Sequence, residues 1–102
     1  MDDELILIKE NYKPDKIGNI VADTQRRAVF CKVKSIDRNE FYNAGQKGLK
    51  PAYKFTMFKG DYDGEQLVEY HNVKYAVYRS YEIPDTDELE LYVKDKEGVT
   101  DV

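Results

Sequence analysis

Residues 51–80, PAYKFTMFKGDYDGEQLVEYHNVKYAVYRS, decide the fold of this 102-residue chain. They contain three runs in which apolar and polar residues alternate, the period of a β-strand with one buried face. Asp63-Gly64 separates the first two runs and is a strong signal for a two-residue hairpin turn, because both turn positions need positive φ. His71-Asn72 separates the second and third runs and is a weaker turn candidate. The segment therefore predicts a three-stranded meander.

The two predicted turns can be tested against each other through the register that they impose. If both are two-residue turns, Met57 lies opposite Tyr70, and Val68 lies opposite Tyr75. One apolar face then contains Tyr53, Phe55, Met57, Val68, Tyr70, Val73, Tyr75 and Val77. The reverse face places Glu69 opposite Lys74, a favourable pairing of opposite charges. Two turns inferred separately thus agree on one buried surface.

Further strands are predicted on both sides of the meander. Residues 5–8 and 28–34 precede it, and residues 88–93 follow it after a longer turn at 83–87. Cys31 lies between Val29 and Val33 on the apolar face of its strand, which favours a buried, inert thiol. The whole pattern predicts a mainly β fold: a small antiparallel β-barrel or sandwich of about six strands, with one short helical insertion.

The rest of the chain is assigned to one domain over residues 1–102. Residues 9–26 contain several turn-forming residues and are predicted to be a long, flexible loop with weak strand character at Ile20-Val21. Residues 95–102 are predicted to be a polar, fraying tail. Neither the acidic N-terminal flank nor its four-residue apolar run fits a secretory signal, and no apolar stretch approaches the length of a membrane span.

The insertion is predicted between residues 35 and 50. Asp37-Arg38-Asn39-Glu40 has the form of a helix capping box, in which the two acidic side chains cap each other's backbone N–H groups. A helix of at most two turns is expected near residues 37–46, with stopping points at two glycines. Its apolar side would contain Phe41, Ala44 and Tyr42.

Charge is distributed unevenly along the chain. Residues 1–60 hold 12 Lys or Arg and 8 Asp or Glu, whereas residues 61–102 hold 4 and 12, so the net charges are +4 and −8. The overall charge of −4 argues against general affinity for nucleic acid, which depends on neutralising phosphates. The asymmetry is compatible with a basic surface on one copy meeting an acidic surface on the next, and equally with ordinary variation of surface charge.

Residues able to carry chemistry are sparse. A single cysteine allows no intrachain disulfide and no thiolate zinc site, and the single histidine, His71, is expected in an exposed turn. Asp61 and Asp63 fit turn chemistry better than a calcium loop. The sequence therefore predicts no enzyme, no catalytic residues, no metal site and no cofactor, and it favours a role in binding other proteins.

Two tyrosines are expected to point outward. The alternation places Tyr78 and Tyr92 on faces away from the predicted core. Outward aromatic rings either stack on bases or fill protein interfaces. Their expected neighbours are Glu65, Glu88 and Glu90, and acidic neighbours favour contact with protein.

Several short motifs, in this order and spacing, resemble one known family. They are residues 40–44 (EFYNA), 48–51 (GLKP), 62–65 (YDGE), 75–81 (YAVYRSY), 90–92 (ELY) and 96–98 (KEG). Together they resemble the head-completion proteins of long-tailed bacteriophages, also called head-closure, stopper or head–tail joining proteins. The resemblance covers roughly residues 29–98.

The resemblance implies a small barrel-like subunit of the virion that assembles, in the host cytoplasm, as a homo-oligomeric ring. Such a ring lies below the portal and adaptor proteins, closes the DNA channel, and presents a surface to the tail or tail-terminator protein. The family's long insertion is flexible in free subunits and projects toward the channel after assembly. Here it corresponds to residues 35–50, with candidate channel or interface residues Glu40, Phe41, Tyr42, Gln46, Lys47 and Lys50.

Three points stay open at this stage. Lys47 and Lys50 are either weak contacts for packaged double-stranded DNA or simply solvated lysines. The alternative function is that of a small β-barrel that binds single-stranded nucleic acid, favoured by the strand count and the many aromatic residues. A stopper, an adjacent adaptor and a tail terminator are not separated by these motifs.

Overall fold

A computed structural model describes residues 3–96 of the chain. Within that range, six antiparallel strands close into a barrel in the order β1-β2-β3-β6-β5-β4, and β4 pairs back with β1. The elements along the chain are β1 (Asp3–Pro14), β2 (Ile20–Lys34), helix α1 (Arg38–Gln46), β3 (Pro51–Phe58), a 3₁₀ turn (Lys59–Asp61), β4 (Leu67–Tyr70), β5 (Val73–Glu82) and β6 (Glu88–Asp95). The predicted fold class, mainly β with one short helical insertion, is confirmed.

The barrel interior is filled by alternate residues of all six strands. The buried cluster consists of Leu5, Leu7, Val29, Cys31, Phe55, Met57, Val68, Tyr70, Tyr75, Leu89, Leu91 and Val93. Tyr53 packs against it, with its ring centroid 5.2 Å from that of Tyr70 and 5.4 Å from that of Tyr75. The predicted core face is therefore correct except at Val73. That residue is 49% exposed because it begins β5 directly after a turn at the barrel rim.

The weaker of the two predicted turns is the one that forms. His71 and Asn72 have φ values of 51° and 67°, the left-handed conformation that a two-residue hairpin turn requires. Tyr70 lies opposite Val73 and Val68 opposite Tyr75, as the register predicted.

The hairpin predicted at Asp63-Gly64 is wrong. Strand β3 pairs with β2 and β6, whereas β4 pairs with β1 and β5, so β3 and β4 are not neighbours. Of the two turn residues only Gly64 has positive φ. Residues 59–66 instead form a crossing from β3 to β4 at one end of the barrel. Glu65 is buried, and its carboxylate stabilises the crossing by accepting hydrogen bonds from the Arg27 guanidinium, at 2.7 Å, and from the Asp63 amide, at 2.8 Å.

The loop predicted at residues 9–26 is also wrong. Strands β1 and β2 continue past the barrel as a two-stranded ribbon, paired from Lys9 with Gln25 to Pro14 with Ile20. The turn-forming residues occupy only its tip, where the Asp15 carboxylate accepts from the amides of Ile17 and Asn19. Both faces of a projecting ribbon are exposed in a single chain, so its alternation of apolar and polar residues is weaker than that of a strand with a buried face and did not reveal the strands.

Smaller differences concern the ends of strands. Strand β4 begins at Leu67, three residues after the predicted turn at Asp63-Gly64, and β5 continues to Glu82, two residues past the segment 51–80. The longer turn at residues 83–87 forms as predicted. Of the predicted fraying tail, Asp95 belongs to β6, and residues 97–102 lie outside the described range.

Antiparallel strands distribute the connections between two ends of the barrel. The ribbon, the crossing at residues 59–66 and the turn at residues 83–87 lie at one end. The insertion at residues 35–50 and the turn at residues 71–72 lie at the other. The two segments that differ most from a plain barrel, the ribbon and α1, are thus carried on opposite ends.

Candidate functional site

Helix α1 is specified at both ends by local sequence. The Asp37 side chain accepts a hydrogen bond of 2.8 Å from the Glu40 amide, which is the predicted N-cap. At the C-terminus Gly48 has φ of 78°, and the amides of Gly48 and Leu49 bond to the carbonyls of Gly45 and Ala44. This is a Schellman motif, and its left-handed residue is one that glycine adopts without steric cost. The helix has nine residues, slightly more than the two turns predicted.

The Glu40 side chain does not complete the predicted capping box. Its carboxylate instead reaches across to β5, where it accepts hydrogen bonds from the Tyr78 hydroxyl, at 2.7 Å, and from the Arg79 guanidinium, at 2.6 Å. We call this group of three residues the latch. One turn further along the helix, Ala44 is also buried against the barrel. The latch therefore holds the insertion onto the barrel by polar contacts, with little apolar packing beneath it.

A β-bulge in β5 makes the latch possible. Val77 pairs with Val93 and Arg79 with Tyr92, which leaves Tyr78 as an extra residue. In a regular strand, consecutive side chains point to opposite faces, but a bulge re-aims one of them. Tyr78 and Arg79 consequently both reach the same carboxylate.

Arg79 also covers Tyr92. Its guanidinium carbon lies 3.9 Å from the centre of the Tyr92 ring, and the Tyr92 hydroxyl donates to Glu90 at 2.8 Å. Tyr92 is only 6% exposed, and Tyr78 is partly buried. The prediction that these two tyrosines form an outward aromatic surface is wrong, because the bulge and the helix cover them.

The protonation states of the latch are set by burial and by its own contacts. Burial opposes ionisation of Glu40, but the hydrogen bonds from Arg79 and Tyr78 outweigh that effect, so the pKa of Glu40 lies below its ordinary value. Burial and the Glu40 carboxylate raise the pKa of Tyr78. Burial and the Glu90 carboxylate raise the pKa of Tyr92 to about 12. At neutral pH the latch therefore contains a carboxylate, a guanidinium and one neutral phenol, and the neighbouring Tyr92 is neutral as well.

The other predicted insertion residues face solvent. The exposed fraction is 51% for Phe41 and 66% for Tyr42. Gln46, Lys47 and Lys50 are exposed as well. The predicted apolar side of α1 is therefore wrong in two of its three residues, since only Ala44 is buried.

A cleft of about 730 Å³ separates part of α1 from β5. Its lining is largely polar and consists of Glu40, Asn43, Ala44, Gln46, Lys47, Leu49, Tyr78 and Arg79. The helix thus rests on the barrel at the latch and at Ala44 and is not packed along its length. Arg79 is the residue of this site that sequence reasoning missed. The only signal for it was the YR pair at the point where the alternation of β5 breaks.

The single cysteine and the single histidine lie where the sequence predicted them. Cys31 is buried in the core, and His71 is exposed in its turn, stacked on Tyr70 with ring centroids 4.0 Å apart. Among residues 3–96, no group of three or more metal-ligating side chains converges. No helix in the same range is long and apolar enough to cross a membrane.

Comparison with known proteins provides no family. No family model matches the chain, and no curated protein is significantly similar to it.

Proposed function

We propose that this chain is a structural subunit of a phage head–tail connector, of the head-closure or stopper type. In this proposal it forms a homo-oligomeric ring below the portal and adaptor proteins at the head–tail junction of the virion. The ring closes the DNA channel and offers a surface to the tail or tail-terminator protein. One observation carries the proposal: a closed barrel holds at one end a helix that touches it mainly through the latch, with most of its side chains exposed.

Such an arrangement suits a plug. A barrel without free sheet edges is a rigid support, whereas a helix held by a few polar contacts can change position at modest free-energy cost. The glycine at the end of α1 has φ of 78° and provides a hinge where the chain re-enters β3. The insertion can thus move in an assembled ring without disturbing the core.

The buried polar groups of the barrel support a structural role over a catalytic one. Glu65 is bound to Arg27, and the Tyr70 hydroxyl donates to Asp3 at 2.9 Å. A catalytic group needs access to a substrate as well as a perturbed pKa. The hydrogen bonds of these groups instead join strands to one another and to the crossing, so we propose that the protein is not an enzyme.

Contact with packaged DNA is assigned to the insertion. Lys47 and Lys50 are exposed near the C-terminal end of α1, at the barrel end opposite the acidic turn at residues 83–87. Lysines at this position attract phosphate without reading sequence. We therefore place this end toward the channel, where the contact with DNA is weak and dependent on salt.

Mass measurement of a mixture with recombinant portal and adaptor proteins tests the proposed function. We expect a complex that contains several copies of this chain. No binding to either protein at about micromolar concentration would contradict the proposal. In the phage, deletion of residues 36–49 should leave a folded barrel but heads that lose DNA, whereas heads that retain DNA would argue against a plug.

A single-stranded nucleic-acid binder is the second candidate. The exposed Phe41 and Tyr42 near Lys47 and Lys50 are the observation that favours it, since stacking rings beside cations are what such proteins use. Binding of a mixed-sequence oligonucleotide at about 50 mM salt, weakened as salt rises, is its expected result. Absence of binding under that condition dismisses it.

A further inference from the structure

The ribbon is amphipathic although no element of the described chain covers it. Its register places Tyr12 opposite Ala22 and Pro14 opposite Ile20, all on one face, and Ile17 lies at the tip. The exposed fractions are 67% for Tyr12, 82% for Ile17 and 67% for Ile20. We call this surface the apolar face of the ribbon.

The opposite face of the ribbon is mainly polar. It contains pairs such as Asn11 with Asp23, and a salt bridge of 2.9 Å joins Lys13 to Asp23. A two-stranded hairpin is only marginally stable in water by itself, and a ribbon with one apolar face gains stability when that face is covered. The difference between the two faces of the ribbon therefore indicates that another protein surface binds the apolar face.

A second apolar surface lies on the outer wall of the barrel. Phe30 is 73% exposed and Phe58 is 50% exposed. Since Cys31 pairs with Met57, these two phenylalanines occupy adjacent positions on β2 and β3 and point away from the core. We call them the Phe patch. A small groove of about 190 Å³ runs beside both rings.

The two surfaces cannot cover each other within one chain. Ile20 and Phe30 are ten residues apart on the same continuous strand, a separation of about 34 Å at 3.4 Å per residue. A second copy, in contrast, supplies each surface with a partner. Both surfaces occur once per chain, so a head-to-tail contact uses all of them.

The charges beside the two surfaces are complementary. Lys16 stands next to Ile17 at the ribbon tip, and no acidic group among residues 3–96 pairs with it. Glu4 lies directly opposite Phe30, and Glu88 lies directly opposite Phe58. Neither carboxylate forms an ion pair within the described chain. Lys32 lines the same groove, so the Phe patch carries both signs, and this orientation of two copies brings Lys16 toward the two carboxylates.

We propose that the apolar face of the ribbon binds the Phe patch of a second copy of this chain. The contact is heterologous, so its repetition builds a ring where the rotation between copies closes, and the inference rests on the proposed assembly function. The five large exposed side chains, which are Tyr12, Ile17 and Ile20 on the ribbon and Phe30 and Phe58 in the patch, present roughly 600 Å² of apolar surface, more than a third of the roughly 1,600 Å² that a standard interface buries. The remainder comes from the charged border and the ribbon backbone.

Sedimentation of the wild-type chain and of two double variants tests the contact. The wild type at about 100 µM should form species larger than a dimer. Tyr12→Ser/Ile20→Ser damages only the ribbon, and Phe30→Ser/Phe58→Ser damages only the patch, so each variant alone should associate at least about tenfold more weakly. An equimolar mixture of the two should stop at dimers, because only one intact junction can form between them.

Val21→Ser is the matched control. Val21 is 45% exposed on the opposite face of the same ribbon, so its replacement should change self-association by less than about twofold. A wild-type chain that remains monomeric at about 100 µM, or variants that associate like the wild type, would overturn the inference.

Cysteine cross-linking provides a second measurement that does not depend on apolar substitutions. Lys16→Cys in one copy should form a disulfide with Glu88→Cys in another, and the buried Cys31 should not compete. Disulfides between two Lys16→Cys chains alone would indicate a symmetric ribbon-to-ribbon contact and would also overturn the proposal.

The two proposals fail separately. Binding to the portal and adaptor without a ribbon contact would leave the connector function standing and remove this interface. A ribbon contact without binding to portal or adaptor would leave the interface and remove the connector function.

Discussion

Replacing Glu40 with alanine should release α1 while leaving the barrel folded. The substitution removes both latch contacts, and alanine does not lower the helical propensity of the segment. A hydrogen bond to a charged group contributes about 1.5–3 kcal/mol. Because the Arg79 side chain is 44% exposed, its share is reduced by solvent, and about 2 kcal/mol in total is the expected loss.

Amide hydrogen exchange measures this loss where it occurs. A decrease of about 2 kcal/mol in the free energy of local opening should accelerate amide exchange about 30-fold in residues 41–49. Where the wild-type protection factor is below about 30, exchange should reach the rate of an unprotected amide. Amides of β3 and β6 should exchange at their original rates, because the barrel core does not depend on the latch.

Three further variants sharpen the test. Gln46→Ala lies on the same helix but is exposed, and it should change exchange by less than about twofold. Tyr78→Phe removes one contact and should accelerate exchange about fivefold, with no added effect in the Glu40→Ala background. The reasoning is refuted if Glu40→Ala accelerates exchange in α1 by less than about threefold, or if the barrel strands accelerate equally.

Other predictions concern the barrel. Phe55→Ala, which empties a fully buried site, should cost about 3–5 kcal/mol of unfolding free energy in urea titrations, whereas Phe41→Ala on the exposed helix surface should cost under about 1 kcal/mol. Asn72→Gly should raise the free energy of unfolding by about 0.5 kcal/mol, because φ of 67° suits glycine better, and an unchanged or lower Tm would contradict this. Stability should fall as pH drops below about 4.5. Burial opposes ionisation of Glu65, but hydrogen bonds from Arg27 and nearby amides lower its pKa in the folded state. The stabilisation is therefore complete above the pKa of the unfolded chain and is lost as the pH falls through the lower pKa of the folded chain. In thermal melts from pH 6 to pH 3, the Tm of Glu65→Gln should depend on pH less steeply than the Tm of Glu10→Gln, which replaces an exposed carboxylate. Equal slopes of Tm against pH for the two variants would refute the role of the Arg27–Glu65 pair.

Local patterns were sufficient for much of the barrel and for the ends of the helix. The alternation of Leu89, Leu91 and Val93 identifies β6, because one face of this strand packs in the core and the other lies on the outer wall. The cap at Asp37 and the turn at His71-Asn72 depend on contacts between residues close in sequence, so they too are visible there. Of the candidate site, the same reasoning located the insertion and six of its exposed or latched side chains, but not their partners.

Local patterns specify which segments are strands with a buried side, where α1 begins and ends, and nearly all of the core residues. Long-range contacts instead determine that β3 pairs with β6 rather than β4, that residues 9–26 form a ribbon, and that Tyr92 is covered by Arg79. The difference lies in the range of the interactions. Caps, tight turns and strand period arise from neighbouring residues, whereas the choice of strand partner depends on closing the barrel, which satisfies the backbone hydrogen bonds of all strands together.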